Sequence, residues 1–420
     1  MTAVLLRVAL FAAFLIPVAV GDFSVNYSFV LYALFLALQA KHLERPTNLI
    51  LWAIAAYGAI YLVGLGFDVF APDGLLLRRG VSFAIFMTMF AFALVRFGEL
   101  EVRAFKIAIV AVSFGFSLYA IARFYSVGGN EYGFALKDVT GSQRYGFVYL
   151  LAIFCLMSAS EAGRSFQVLR SVSLFVVLAG LLLTFSRSSV VAFGCVLPLF
   201  LLSPLAMRGR QMSAKLAIVG RRTGIAALYT AVLLVVFPVV FQFYGDLILS
   251  RYTPLIGESL VEVESMIRPE QMTGERPASE AADGALLAEG SEGTRILIWK
   301  SIVNNTLNQP LTGTSYLGAW VLESVHTGSS HSQYFDVLLR TGFVGWLLYL
   351  AIIVQVLFFL WRKEPGLFWG TLAMLVFGIF HETFKESQGA FILACLIGMY
   401  VSHWRKSAGH VRTTPAVLRA

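Results

Sequence analysis

The chain has 420 residues, 58% hydrophobic and 13% charged, with a mean hydropathy of +0.77. Soluble domains carry about 25% charged residues, so the composition excludes a water-soluble enzyme or binding module and points to one bundle of membrane helices. The net charge of +8 would suggest nucleic acid in a soluble protein; here membrane topology explains it first, and no nucleic-acid partner is expected.

A bilayer core of about 30 Å needs roughly 20 helical residues. Twelve apolar runs qualify, near 3–20, 23–40, 47–66, 80–95, 104–122, 145–160, 167–185, 189–206, 224–243, 342–360, 367–380 and 387–402. The first, MTAVLLRVALFAAFLIPVAVG, reads as a retained anchor rather than a signal peptide, because its apolar core is long and the next run starts directly after Asp22. Cys155, Cys195 and Cys395 all lie inside apolar runs without CxxC spacing, so neither a zinc site nor a disulfide framework is expected. An all-α polytopic bundle of about twelve transmembrane helices satisfies every backbone amide within its own segment.

Orientation follows from the basic residues. With the N-terminus inside, the inner connections and tail hold eighteen Lys and Arg, among them Arg103, Lys106, Arg164, Arg170, Arg222, Arg362 and Lys363, against seven in the short outer connections. Both termini are therefore expected inside. Spans one to nine occupy 1–243, a large outer loop 244–333, spans ten to twelve 334–402, and an inner tail 403–420.

The outer loop has two parts. Glu258 to Glu292 holds nine acidic residues against Arg268 and Arg276, with Pro269 and Pro277 between them. This stretch is expected to be a solvated, weakly helical flap, and no spacing in it supports a metal site. After Gly293, TRILIWKSIVNNTL places Ile296, Trp299 and Val303 at helical spacing, which predicts a short helix near the membrane surface.

Several ionisable residues fall on the outer side. Arg187, in TFSRSSVVAF between the seventh and eighth spans, is alone no more than a snorkelling side chain. Arg295 opens the short helix, with Trp299 one turn later, where the two could make a cation–π contact. His331 stands at or just before the tenth span. Together they are more telling. Guanidinium forks match phosphate oxygens in bidentate geometry, and an ordinary imidazole, titrating near pH 6.5, can take a proton from an attacking hydroxyl. The set suits a reaction in which a diphosphate leaves while an alcohol attacks. Arg144 before the sixth span, and Arg78 and Arg79 before the fourth, could line a groove for anionic lipid or sugar, or simply anchor headgroups. HETFKES places His381, Glu382 and Lys385 between the last two spans. A His–Glu pair could do acid–base work, but adjacent residues on a helix point about 100° apart, so the pair reads as a feature that supports the site from behind or packs, with His381 a further site candidate.

FSRSS at 185–189, RILIW at 295–299 followed by NQPLTGTSYLG, and HSQYFDVLLRTGFVG from 331 resemble, in order and spacing, the O-antigen ligase and polymerase superfamily. The specific motifs lie between 184 and 345, within a ligase-like region of about 170–360. The family's two essential arginines fall on Arg187 and Arg295, the second in an R-x-x-x-W segment before a Pro-x-x-Gly turn, and its histidine falls on His331. Three positions depart from the pattern: Ser332 replaces the usual Asn, Arg340 stands where an acidic residue is common, and the turn reads GTS where G-x-G is usual.

The resemblance implies an enzyme of the bacterial inner membrane whose outer face, and the loop between spans nine and ten, are periplasmic. It would serve lipopolysaccharide or related polysaccharide biosynthesis, transferring a glycan from undecaprenyl diphosphate to a hydroxyl acceptor such as lipid A–core. His331, Arg187 and Arg295 would be catalytic, with Arg144, Trp299, Arg78, Arg79 and His381 around the substrates. No cofactor and no metal are implied. An O-antigen or exopolysaccharide polymerase would use the same donor and charges. A lipid-linked glycan flippase would fit the span count, though flippases and other transporters gather polar residues at the midplane and show internal repeats. A purely structural or receptor role would use the acidic loop as its surface.

Overall fold

A computed structural model of the protein describes residues 2–16, 97–127, 145–159, 164–184, 186–206, 212–220, 222–224, 227, 292–313, 330–383 and 387–412. The runs near 23–40, 47–66 and 80–95, most of 224–243, the acidic flap, and Arg78, Arg79 and Arg144 lie outside the described residues. The long elements are α1 (Thr2–Leu15), α2 (Glu99–Val127), α3 (Gly146–Ser158), α4 (Arg164–Leu183), α5 (Arg187–Leu202), α6 (Glu292–Asn308), α7 (Gln333–Lys363), α8 (Pro365–Phe377) and α9 (Ser387–Arg412), with no strand among the described residues. Among the described residues, four stretches are long and apolar enough to cross a membrane: Glu99–Phe124, Phe166–Leu183, Arg187–Leu205 and Gln333–Lys363. Val4–Leu15, Gly146–Ser158, Pro365–Phe377 and Gln388–His403 are shorter apolar helices. The described residues are thus all-helical, and their apolar helices are those of a membrane protein.

The chain divides into two compact units: Met1–Val112 with Leu297–Phe368 and Gly378–Ala420, and Ser113–Ile296 with Trp369–Phe377. In the first unit α9 carries the core, since every residue from Gln388 to Ser402 is buried. Phe391 packs on Phe11 and Phe14 of α1 and on Phe105 of α2, with ring centroids 4.9–6.2 Å apart. Lipid-facing helices need no polar outer face, and Leu347, Val354, Phe358 and Trp361 of α7 are accordingly exposed.

One end of this unit is polar. Arg7 pairs with Glu101 at 2.7 Å, Lys106 with Glu364 at 2.9 Å, and the Phe97 amide donates to Ser402 Oγ at 2.8 Å. Half-exposed ion pairs contribute at most about 1 kcal/mol each, so their value is positional: they gather the basic ends of α1, α2, α7 and α9. Helix α7 runs from that end to His331. Its final 21 residues, Phe343 to Lys363, rise about 31 Å at 1.5 Å per residue, which matches a hydrocarbon core.

The tenth span was expected near 342–360, but the helix starts at Gln333 and breaks at Gly342, with φ 62° and ψ −169°. The apolar run marks only the part after the break. Before it, Asp336 and Arg340 are both buried and pair at 2.9 Å, which is how a helical turn rich in polar residues is accommodated at the end of a membrane helix. Arg340, the position departing from the family pattern, is thus neutralised one turn back along its own helix. The turn after α6 closes on the break: the Phe343 amide donates to Pro310 O at 2.7 Å, and Gly313, at φ 79°, lies against the Arg340 carbonyl.

In the second unit α3 is buried throughout from Gly146 to Leu156 and packs against α4 and α5. At one end Arg170 donates to Ala159 O at 2.7 Å, and Arg222 to Phe200 O and Ser203 Oγ, both at 2.9 Å. At the other end α3 and α5 begin together, since a Cβ on Gly146 would overlap the Ser189 hydroxyl. Helix α4 separates the two ends by 20 residues, about 30 Å.

Candidate active site

His331 has φ 52°, the one positive value among the described non-glycine residues. The left-handed region costs an ordinary L-residue about 1–2 kcal/mol, although His is among the residues enriched there. Such a conformation persists only where the surroundings hold it on both sides, and they do.

On the N-terminal side, Ser330 is fully buried with its polar groups engaged. Its amide donates to Glu382 Oε1 at 2.5 Å, its carbonyl accepts from Trp299 Nε1 at 3.0 Å, and its hydroxyl lies 2.8 Å from both Glu382 Oε1 and Ser332 O. On the C-terminal side, Ser332 is the extended N-cap of α7, and the Gln333 amide is shared between Gly378 O at 2.8 Å and His381 O at 3.0 Å. The imidazole between these clamps is only half-buried. Its backbone is fixed while its ring keeps an open side.

Trp299 reaches Ser330 because α6 turns one face inward. Ile298 and Ile302 pack on Leu339 of α7, and the Trp299 ring stacks on Phe335 at 5.0 Å and 19°. The spacing of 296, 299 and 303 predicted the helix; its buried stripe is 298, 302 and 306, with Trp299 packed beside it. Val303 is exposed, because the aliphatic residues that face Leu339 set the register rather than the apolar count. Arg295, half-buried, lies one turn before Trp299 on the same helix.

Arg187 is the first residue of α5, half-buried, behind the N-cap Ser186, whose side chain accepts from the Ser189 amide at 3.3 Å. It belongs to the second unit, as does Arg295, and His331 to the first.

The segment 378–383 is a turn rather than helix, so the 100° argument against the His–Glu pair does not apply to it. His381 contributes its carbonyl and Glu382 its carboxylate, both toward the His331 backbone. The sequence offered Glu382 only as half of a supporting or packing pair with His381, without the serine that it holds. Among the described residues no group of three or more His, Cys, Asp or Glu could hold a metal ion.

The family model described as Wzy_C, O-antigen ligase, matches residues 172–350. The matched stretch takes in most of α4, all of α5 and α6, the Pro310–Gly313 turn, Ser330 to Ser332 and the first half of α7, and ends before the turn 378–382. Comparison with curated proteins returns no match. Over residues 172–350 the chain is thus similar to the O-antigen ligases, a family of membrane glycan-processing enzymes.

Proposed function

We propose that the protein is an inverting glycosyltransferase of the bacterial inner membrane, moving a glycan from undecaprenyl diphosphate to a hydroxyl of lipid A–core or a similar acceptor at the periplasmic face. The observation that carries this reading is the clamped, half-open His331, set at the opposite end of α7 from the basic cluster around Lys106 and Glu364. Basic ends face the cytoplasm, so both termini are cytoplasmic and His331 works on the other side.

In this mechanism the His331 imidazole accepts the proton of the acceptor hydroxyl. The freed oxygen pair attacks the anomeric carbon from the face opposite the diphosphate, the carbon–oxygen bond to the diphosphate breaks, and undecaprenyl diphosphate leaves with that electron pair. Arg187 and Arg295 clamp the diphosphate, and their forks meet the charge that grows on it as the bond breaks. These two cations supply the compensation that a divalent metal would otherwise provide. Arg78, Arg79, Arg144, Trp299 and His381 line the approach of glycan and acceptor.

The test is transfer in detergent or proteoliposomes, with purified lipid-linked glycan as donor and lipid A–core as acceptor, in the presence of a chelator, read as a gel shift of the core. Growth of glycan chains on the lipid carrier, with the core untouched, would assign the protein as a polymerase instead. Passage of the intact glycolipid across the bilayer without a new glycosidic bond would overturn the enzymatic reading.

A further inference from the structure

We infer that Glu382 is a positioning residue for His331, acting through Ser330 and not on the substrate. As a statement about catalysis this rests on the glycosyl-transfer reading; as a statement about the imidazole it does not.

Glu382 Oε1 accepts both the Ser330 amide and the Ser330 hydroxyl across 52 residues of chain, at 2.5 and 2.8 Å. A carboxylate is an acceptor with room for several donors, and charge-assisted bonds to backbone amides are roughly twice as strong as neutral ones. The hydroxyl has one proton and two oxygens at 2.8 Å, Glu382 Oε1 and Ser332 O. Whichever of them it serves, the amide bond to Glu382 remains. That bond fixes the peptide plane that precedes Ser330, and the indole of Trp299 on the Ser330 carbonyl fixes the next one, which leads into His331. The carbonyls of Gly378 and His381 fix the Gln333 amide, two residues further on. Three of the contacts therefore come from the single turn 378–382, which holds the histidine at φ 52°. With Glu382 removed, the Ser330 amide loses its acceptor in a buried place, and the backbone of His331 can relax to a negative φ. A change of that dihedral swings the ring, and general-base catalysis depends on the ring standing within hydrogen-bond reach of the acceptor hydroxyl.

Two measurements test this on the full-length protein in detergent. The first is transfer, separated into kcat and KM per folded enzyme. The second is the rate at which diethyl pyrocarbonate modifies His331, read by mass spectrometry against His403. Glu382→Ala is expected to lower kcat at least 30-fold with donor KM within threefold, and to change the His331 modification rate at least fivefold. Glu382→Gln keeps an acceptor oxygen for the Ser330 amide, so it should stay within about threefold of wild type in both. Wild-type behaviour of Glu382→Ala in both measurements would overturn the inference, and so would a loss of 30-fold or more in Glu382→Gln; the latter variant decides the matter even where Glu382→Ala does not fold. A wild-type protein that transfers no glycan, with the modification rate still altered in Glu382→Ala alone, would sink the glycosyl-transfer reading and leave the positioning role standing.

Discussion

Gly313 and Gly342 lie face to face, and neither tolerates a Cβ. On Gly342 it would strike the Gly313 amide and the Leu311 carbonyl; on Gly313 it would strike the Arg340 carbonyl. Both residues have positive φ, 79° and 62°, so a side chain meets backbone strain as well as overlap. The Pro-x-x-Gly turn and the R-T-G stretch after the histidine, some thirty residues apart in sequence, are thus two halves of one joint that sets where α7 breaks. Gly342→Ala is expected to destabilise the protein by about 3 kcal/mol or more, the sum of strain and overlap. A lower melting temperature in detergent checks this, and an unchanged value would mean that the joint yields without cost.

Glycine substitution should act the other way at His331. The residue sits at φ 52° for the sake of its ring, and glycine takes that conformation without penalty. His331→Gly is expected to be as stable as the wild type or more so, by up to about 1 kcal/mol, while transfer falls to background. His331→Ala should be equally inactive without the gain in stability. Thermal unfolding measured beside transfer separates the two effects, and retained transfer in either variant would remove the general-base role.

The sidedness read from Lys and Arg makes a sharp prediction about labelling. Glu364 pairs with Lys106 at the basic end of the first unit, whereas Glu280 belongs to the acidic stretch of the long loop. In a cysteine-free background, Glu280→Cys should react with a membrane-impermeant maleimide in cells whose outer membrane alone is permeabilised. Lys406→Cys should react only after the inner membrane is opened. The reverse pattern would put His331 on the cytoplasmic side, away from any periplasmic acceptor.

Membrane helices were legible in the sequence because hydropathy alone specifies them: each run near 3–20, 104–122, 145–160, 167–185, 189–206, 342–360, 367–380 and 387–402 contains or overlaps a described helix. What hydropathy missed were the polar turns at their ends. The turn Gln333–Thr341 was left out of the tenth span because Asp336 and Arg340 lower its apolarity, although their mutual pairing is what lets them be buried. Spacing predicted the helix α6 but not which of its residues pack inward, since that face is chosen by Leu339, a residue more than thirty positions away. His331 stood out as an ionisable ring at a membrane edge, and Trp299 as a neighbour of Arg295. Glu382 was legible only as half of a supporting or packing pair, because the serine it holds lies 52 residues away and no periodicity encodes such a contact.

Arg187 occupies a position that does little for its own helix. It is the first residue of α5, where the unpaired amides and the macrodipole present partial positive charge. A cation there is unfavourable by about 0.3–1 kcal/mol, and the capping that α5 needs comes from Ser186 instead. A guanidinium placed against the dipole, beside amides that also attract anions, suits the anionic guest that the proposed reaction requires. Two substitutions should therefore separate. Ser186→Ala is expected to destabilise the protein by about 1 kcal/mol and to leave transfer per folded molecule within threefold of wild type. Arg187→Gln should leave the melting temperature unchanged or slightly raised while transfer drops at least 100-fold, and Arg187→Lys, which keeps the charge but not the fork, should fall most of the way with it. If Arg187→Gln instead lost stability in proportion to activity, the arginine would be a packing residue and the diphosphate clamp would need another partner for Arg295.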